Sequence, residues 1–112
     1  MTGIVVKAAY ATVAEEDGLI FVGFVDARDE SYALFRQPKT GGPLWFEVND
    51  EDFGAEDAIE TASLGPDGLA LTLRPTSAGR FGFASAVTIR LKNCEDAEPA
   101  LNRLRGMGVP GL

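Results

Sequence analysis

The sequence contains no histidine. That absence removes the Ser-His-Asp and Cys-His nucleophilic machines and the usual zinc sites. It also removes the side chain most often used for proton transfer near neutral pH. Cys94 is the single cysteine, so neither an intrachain disulfide nor a CxxC redox pair can form. Glu95 and Asp96 beside it raise its pKa, which favours a structural role over a nucleophilic one. No run approaches the roughly 18 consecutive apolar residues of a membrane span, and Met1-Thr2-Gly3-Ile4 has no basic n-region. Bases are scarce too: 10 Lys and Arg stand against 17 Asp and Glu, a net charge of −7. This balance argues against nucleic-acid binding and against docking on an anionic membrane. The expectation is a cytoplasmic protein that holds no cofactor or metal.

What is present suffices for one domain, residues 1–112, with 46% hydrophobic and 24% charged residues. Strand signals dominate to about residue 92. Residues 4–13 end in the acidic turn Glu15-Glu16-Asp17-Gly18, and residues 19–25 (LIFVGFV) are apolar on both faces, as in a strand covered on each side. Asp26, Arg28, Asp29 and Glu30 mark a loop. Further strands are expected at 31–36, 44–48 and 58–64, with an acidic, irregular stretch from Asn49 to Asp57. Gly65-Pro66-Asp67-Gly68 is a turn signal leading into LALTLR, where Leu69, Leu71 and Leu73 share one face. Val87, Ile89 and Leu91 repeat that pattern, with Thr88, Arg90 and Lys92 outward. Residues 75–85 read as a loop with one helical turn.

A helix follows, with Asp96 as N-cap, Pro99 in the first turn, Ala97, Leu101 and Leu104 on one face, and Gly106 as terminator. The expected fold is α+β, mainly β. It comprises about seven antiparallel strands (a twisted sheet, a sandwich or a partly open barrel) and one C-terminal helix. Residues 107–112 are expected to form a flexible tail. The GxGxxG string at Gly106, Gly108 and Gly111 lies in that tail, without the strand and helix that its phosphate chemistry requires.

Charge is unevenly spread. Residues 40–73 carry Glu47, Asp50, Glu51, Asp52, Glu56, Asp57, Glu60 and Asp67 and no base, whereas residues 74–112 are net basic. Such a block steers a basic partner or merely solvates a loop. Read as a calcium loop from Asn49, it places Phe53 where an oxygen ligand is needed, so no metal is expected. Trp45, Phe46 and Phe53 either anchor an interface or belong to the core.

The segments GLIFVGFVD (18–26), SYALFRQ (31–37), LWFEVND (44–50), DAIETASLGPDGLALTLRP (57–75) and VTIRL (87–91) resemble the bacterial Imm10 immunity proteins. The family's aromatic strand ending in Glu-Val-Asn-Asp falls on Glu47, Val48, Asn49 and Asp50, and its later Ile-Glu on Ile59 and Glu60. Asp57 and Ala58 stand where the family has two glycines. The resemblance implies a non-enzymatic antidote against a bacterial toxin encoded beside it. The partner would be a cognate toxin domain, and a basic one suits the acidic block. The expected contact residues are Glu47, Asp50, Glu51, Asp52, Phe53, Glu56, Asp57 and Glu60, though alternation lets Glu47 face a neighbouring strand.

Two other readings remain at this point. Seven strands and a C-terminal helix are also the order of a pleckstrin-homology-like binding module for another protein or a small ligand, although no basic pocket is evident. A small enzyme using carboxylates with Tyr10 or Tyr32 is the other. Homo-oligomerisation through an edge strand stays open.

Overall fold

The computed structural model describes residues 3–28 and 30–112. Met1, Thr2 and Asp29, the last a member of the expected charged loop, lie outside the described residues. Among the described residues nine strands form two sheets: β1 (Gly3–Lys7), β2 (Tyr10–Glu16), β3 (Leu19–Val25), β4 (Tyr32–Pro38), β5 (Trp45–Val48), β6 (Asp50–Glu56), β7 (Ile59–Gly65), β8 (Gly68–Leu73) and β9 (Ala86–Arg90). A 3₁₀ stretch (Pro75–Phe81) joins β8 to β9, and a C-terminal helix, α1 (Ala97–Arg105), follows. One sheet has the order β1-β9-β8-β7, the other β2-β3-β4-β5-β6. The fold is therefore mainly β with one C-terminal helix, and the sheets do not close into a barrel. Among the described residues no helix is long and apolar enough to cross a membrane.

Nine strands arise from seven chain segments because two segments turn a corner and serve both sheets. At the first corner, Ala8 N–H donates to Arg90 O in one sheet, and Ala9 N–H donates to Val25 O in the other. At the second, Asp57 N–H donates to Leu44 O, and Ala58 O accepts from Arg74 N–H. Each switch takes one residue. The corners join opposite edges of the two sheets, since β1 and β7 flank one sheet and β2 and β6 the other. A meander of seven alternating segments leaves the first and last running in the same direction. This explains why β1 and β9 pair in parallel while every other pair is antiparallel.

Alternation fills the space between the sheets. Val22, Phe24, Ala33, Phe35, Phe46 and Val48 face Leu69, Leu71, Val87 and Ile89, and all are buried. Phe24, Phe35, Phe46 and Phe81 form a row with centroid separations of 6.2, 4.9 and 5.9 Å. Each fully buried ring is worth about 1.5–3 kcal/mol relative to exposure. α1 packs on β2 and β3 through Ala100, Leu101 and Leu104. Glu15 of β2 pairs with Arg103 of α1 and, at 3.0 Å, with Lys39 just after β4. Lys39 first, then Arg103, keeps the Glu15 carboxyl below the ordinary range.

The structure departs from the sequence expectations in four places. Residues 50–56 form strand β6 rather than an irregular loop, because Asn49 adopts φ 66° and turns the chain back onto β5. Strand β3 is covered on one face only: Val22 and Phe24 are buried, whereas Leu19, Phe21 and Val25 lie half-buried on the outer face. Asp96 precedes the helix, but with φ 61° and no side-chain cap; Gly106 ends it right-handed, and Gly108 takes the positive φ.

Residues 107–112, expected as a flexible tail, dock instead. Met107 and Val109 are buried, Pro110 O accepts from Ala62 N–H at 2.7 Å, and Met107 O accepts from Gln37 Nε2 at 3.0 Å. Gly111 has φ 92°, and a Cβ there would lie 2.2 Å from Ala62 O, so only glycine fits.

Candidate functional site

The acidic block runs along the edge strand β6 and round the second corner. Asp50, Glu51, Asp52, Phe53 and Glu56 lie on edge strand β6, Asp57 at the turn with φ 54°, and Glu60 on edge strand β7. All are exposed. Asp57 borders a small cleft that Arg74 also lines, and none of these acids has an ion pair among the described residues. The carboxylates face solvent because the pairing of β5 with β6 slips. Glu47 opposes Gly54, but Val48 opposes Asp50, so residues 51–53 bulge outward. Asp50 Oδ1 accepts from Asp52 N–H at 2.8 Å and stiffens the bulge.

Glu47 does not belong to this exposed set. It is 6% exposed, on the outer face of β5 beside Trp45. Tyr32 Oη–H donates to Oε2 at 2.5 Å and Trp45 Nε1–H donates to Oε1 at 2.8 Å. Both oxygens are occupied as acceptors, the arrangement a buried carboxylate requires. Burial, then the hydrogen bond and charge of Glu47, then the charges of Asp50 and Glu51, push the Tyr32 phenol well above the usual tyrosine range. A Cβ at Gly54 would lie 2.5 Å from Trp45 Cζ2 and 2.9 Å from Glu47 Cβ. Only a glycine on β6 lets the indole lie across the strand. Arg36 covers that indole, its guanidinium 5.0 Å from the ring centroid.

The Glu-Val-Asn-Asp run thus has four distinct local roles. Glu47 clamps β4 through Tyr32, and Val48 fills the core. Asn49 turns the chain while its Oδ1 accepts from Ser31 Oγ–H and Tyr32 N–H, and Asp50 caps the bulge. Trp45 and Phe46 split accordingly: Phe46 is core, and Trp45 is half-buried on the outer face.

Phe53 is 43% exposed, and its ring lies 3.8 Å from where a Cβ on Gly82 would sit. Phe83, next in the chain, is 76% exposed and holds φ 64°, a backbone conformation that favours glycine. Two exposed aromatic residues are therefore found on β6 and in the loop that packs on it. The sequence pointed to Phe53 and missed Phe83; its only local sign was a bulky residue inside a Gly- and Ala-rich loop.

The opposite corner differs in sign. A cleft of about 360 Å³ opens there between the β1–β2 connector and the chain leaving β9, lined by Lys7, Ala8, Ala9, Arg90, Lys92 and Asn93. The chain therefore does possess a basic pocket, contrary to the sequence expectation. Its parts lie more than 80 residues apart, and only the β1–β9 pairing brings Lys7 opposite Arg90.

Cys94 is half-buried, and burial, then Asp96 and Glu95, raise its thiol pKa. No cluster of three or more metal-binding side chains occurs among the described residues. No protein-family model, curated protein or solved structure matches the chain.

Proposed function

We propose that the protein is a non-catalytic binding domain that captures a basic protein through its acidic corner, and that this partner is a toxin domain neutralised in the cytoplasm. The observation that carries the reading is the joint exposure of Asp50, Glu51, Asp52, Phe53 and Glu56 along edge strand β6, with Phe83 exposed just past the 3₁₀ stretch that packs on it. Unpaired carboxylates accelerate encounter with a basic surface, and exposed aromatic rings supply the apolar area that holds it. Phe83 retains a bulky ring at a backbone position where glycine would be easier, as expected where the ring serves a contact. The resemblance to immunity proteins supplies the toxin as partner.

Of the eight sequence candidates, Glu47 acts from behind: it fixes β4 and β5 beneath the corner and touches no partner. Self-association along β6 is disfavoured, because pairing two copies would align their carboxylates. A catalytic reading of Tyr32 and Glu47 finds less support. The phenol is held protonated and both carboxylate oxygens are already engaged.

The test is co-expression with the basic domain encoded beside the gene, reading cell growth and complex formation. Wild-type protein should restore growth and form a complex released by salt. Asp50→Lys, Glu51→Lys and Asp52→Lys together should slow association at least about ten-fold and flatten its salt dependence. Unchanged association in that triple variant would refute the acidic corner as the interface.

A further inference from the structure

We propose that the cleft at the β1–β2 corner is a second, separate binding site, for a small phosphorylated molecule held by Lys7, Arg90 and Lys92. Lys7 and Arg90 are direct partners in the parallel register of β1 and β9. They alternate with the buried Val6 and Ile89, so both side chains leave the outer face of the same sheet. Lys92 and Asn93 enter from the segment that leads to α1. The salt bridges among the described residues are Lys39–Glu15 and Arg103–Glu15, so none of the three cations has a carboxylate partner among those residues.

Three unpaired like charges around one concavity repel one another, and in a chain of net charge −7 acids are plentiful. The acids nearest in sequence, Glu95 and Asp96, form no ion pair with them. A bound anion removes this repulsion.

The walls are already in place. Ala8 N–H donates to Arg90 O at 3.0 Å, Glu95 N–H donates to Ala9 O at 2.9 Å, and Ala11 N–H donates to Glu95 O at 2.8 Å. These bonds tie the two connectors together, so binding requires little ordering of backbone. The cleft's about 360 Å³ sits at the lower end of the roughly 300–1,000 Å³ of small-molecule sites. Its chemistry favours a phosphate ester. Arg90 offers a planar fork for two oxygens, the two ammonium groups neutralise a dianion, Asn93 can donate to a further oxygen, and Ala8 and Ala9 give a short apolar floor for the ester's body.

The site lies at the edge of the four-stranded sheet opposite β7, three strand spacings or about 14 Å away. It therefore stands or falls independently of the acidic-corner reading.

The experiment titrates the isotope-labelled full chain with pyrophosphate, ADP, glucose 6-phosphate and sulfate at physiological salt, reading backbone amide shifts by NMR. Saturable shifts confined to residues 7–11 and 90–95, with at least one phosphate compound binding well above sulfate, are expected. Tighter binding of ADP than of glucose 6-phosphate assigns the body to a nucleotide, and the reverse order assigns it to a sugar. Arg90→Gln and Lys92→Gln should each weaken binding about ten-fold, as loss of one charge-assisted hydrogen bond predicts. Lys39→Gln, on the far side of the molecule, should not. Both cleft residues are exposed, so the variants should retain the wild-type amide spectrum. No saturation by any phosphate compound, binding no stronger than that of sulfate, or unchanged affinity in Arg90→Gln and Lys92→Gln would each overturn the proposal.

Discussion

The two corners are mechanically alike and chemically opposed. At each, one chain segment leaves one sheet and joins the other within a single residue, Ala8–Ala9 in one case and Asp57–Ala58 in the other. The first gathers Lys7, Arg90 and Lys92 around a concavity; the second ends an edge strand that exposes Asp50, Glu51, Asp52, Phe53 and Glu56. A net charge of −7 therefore describes neither surface. It hides two local poles, a basic concavity and an acidic strand edge. A corner exposes both the edge strands and the ends of their neighbours, so it is where a small β domain can place charges with no opposite charge nearby.

The comparison is broken most severely by removing what braces only one corner. Truncation after Gly106 deletes the buried Met107 and Val109, the bond from Ala62 to Pro110, and the part of the tail, Gly108 and Pro110, that lines the cleft beside Asp57. It should lower unfolding free energy by about 3–5 kcal/mol in urea titrations, in line with losing large buried side chains. A cost below about 1 kcal/mol would mean that the tail does not brace the corner.

Next in size is Glu47→Ala. It leaves the Tyr32 hydroxyl and the Trp45 indole N–H without their acceptor and should cost about 1–3 kcal/mol. Glu51→Ala, four residues on and exposed, should change stability by under about 0.5 kcal/mol. Equal effects would erase the distinction between the clamp and the solvated acids.

The same clamp predicts a sign at alkaline pH. The folded protein holds the Tyr32 proton more tightly than the unfolded chain, whose tyrosines titrate near pH 10. This contribution is complete below about pH 10 and is lost as pH rises toward the higher folded pKa. Stability measured from pH 9 to 11 should fall more steeply for the wild type than for Tyr32→Phe. Parallel slopes would show that the phenol titrates as it does in the unfolded chain.

A modest effect of the opposite sign is expected at Phe83. Replacing it with Asn, which tolerates a left-handed backbone, should raise stability by about 0.5–1 kcal/mol and weaken partner capture. A variant that gains stability and keeps its affinity would remove Phe83 from the interface.

Much of the fold is legible locally. The Leu alternation at 69–73, the Gly65–Gly68 turn, the Asp17-Gly18 hairpin and the Leu face of α1 each carry their own instruction and appear as expected. Strand β6 was not legible, because five of its seven residues are acidic or glycine, and it forms only when Asn49 turns it against β5. Strand β3 misled in a different way. An apolar run looks the same whether it is covered on two faces or covered on one and half-exposed on the other.

The acidic block was visible as composition, and its exposure followed from the strand edge. The burial of Glu47 depended on Tyr32, fifteen residues away, and on the missing side chain of Gly54 across the ladder. By itself, the sequence determined the chemistry in stock: no histidine, one cysteine, an excess of acid, and strand periods that demand a mainly β fold. Only the tertiary structure decided how charge is distributed in space. Long-range pairing brought β1 to β9 and gathered scattered bases into one cleft, while a bulge and a corner turned the acids outward at the other end. Local propensity contains no term for a partner eighty residues away, so the positive pole existed only once the sheets had formed.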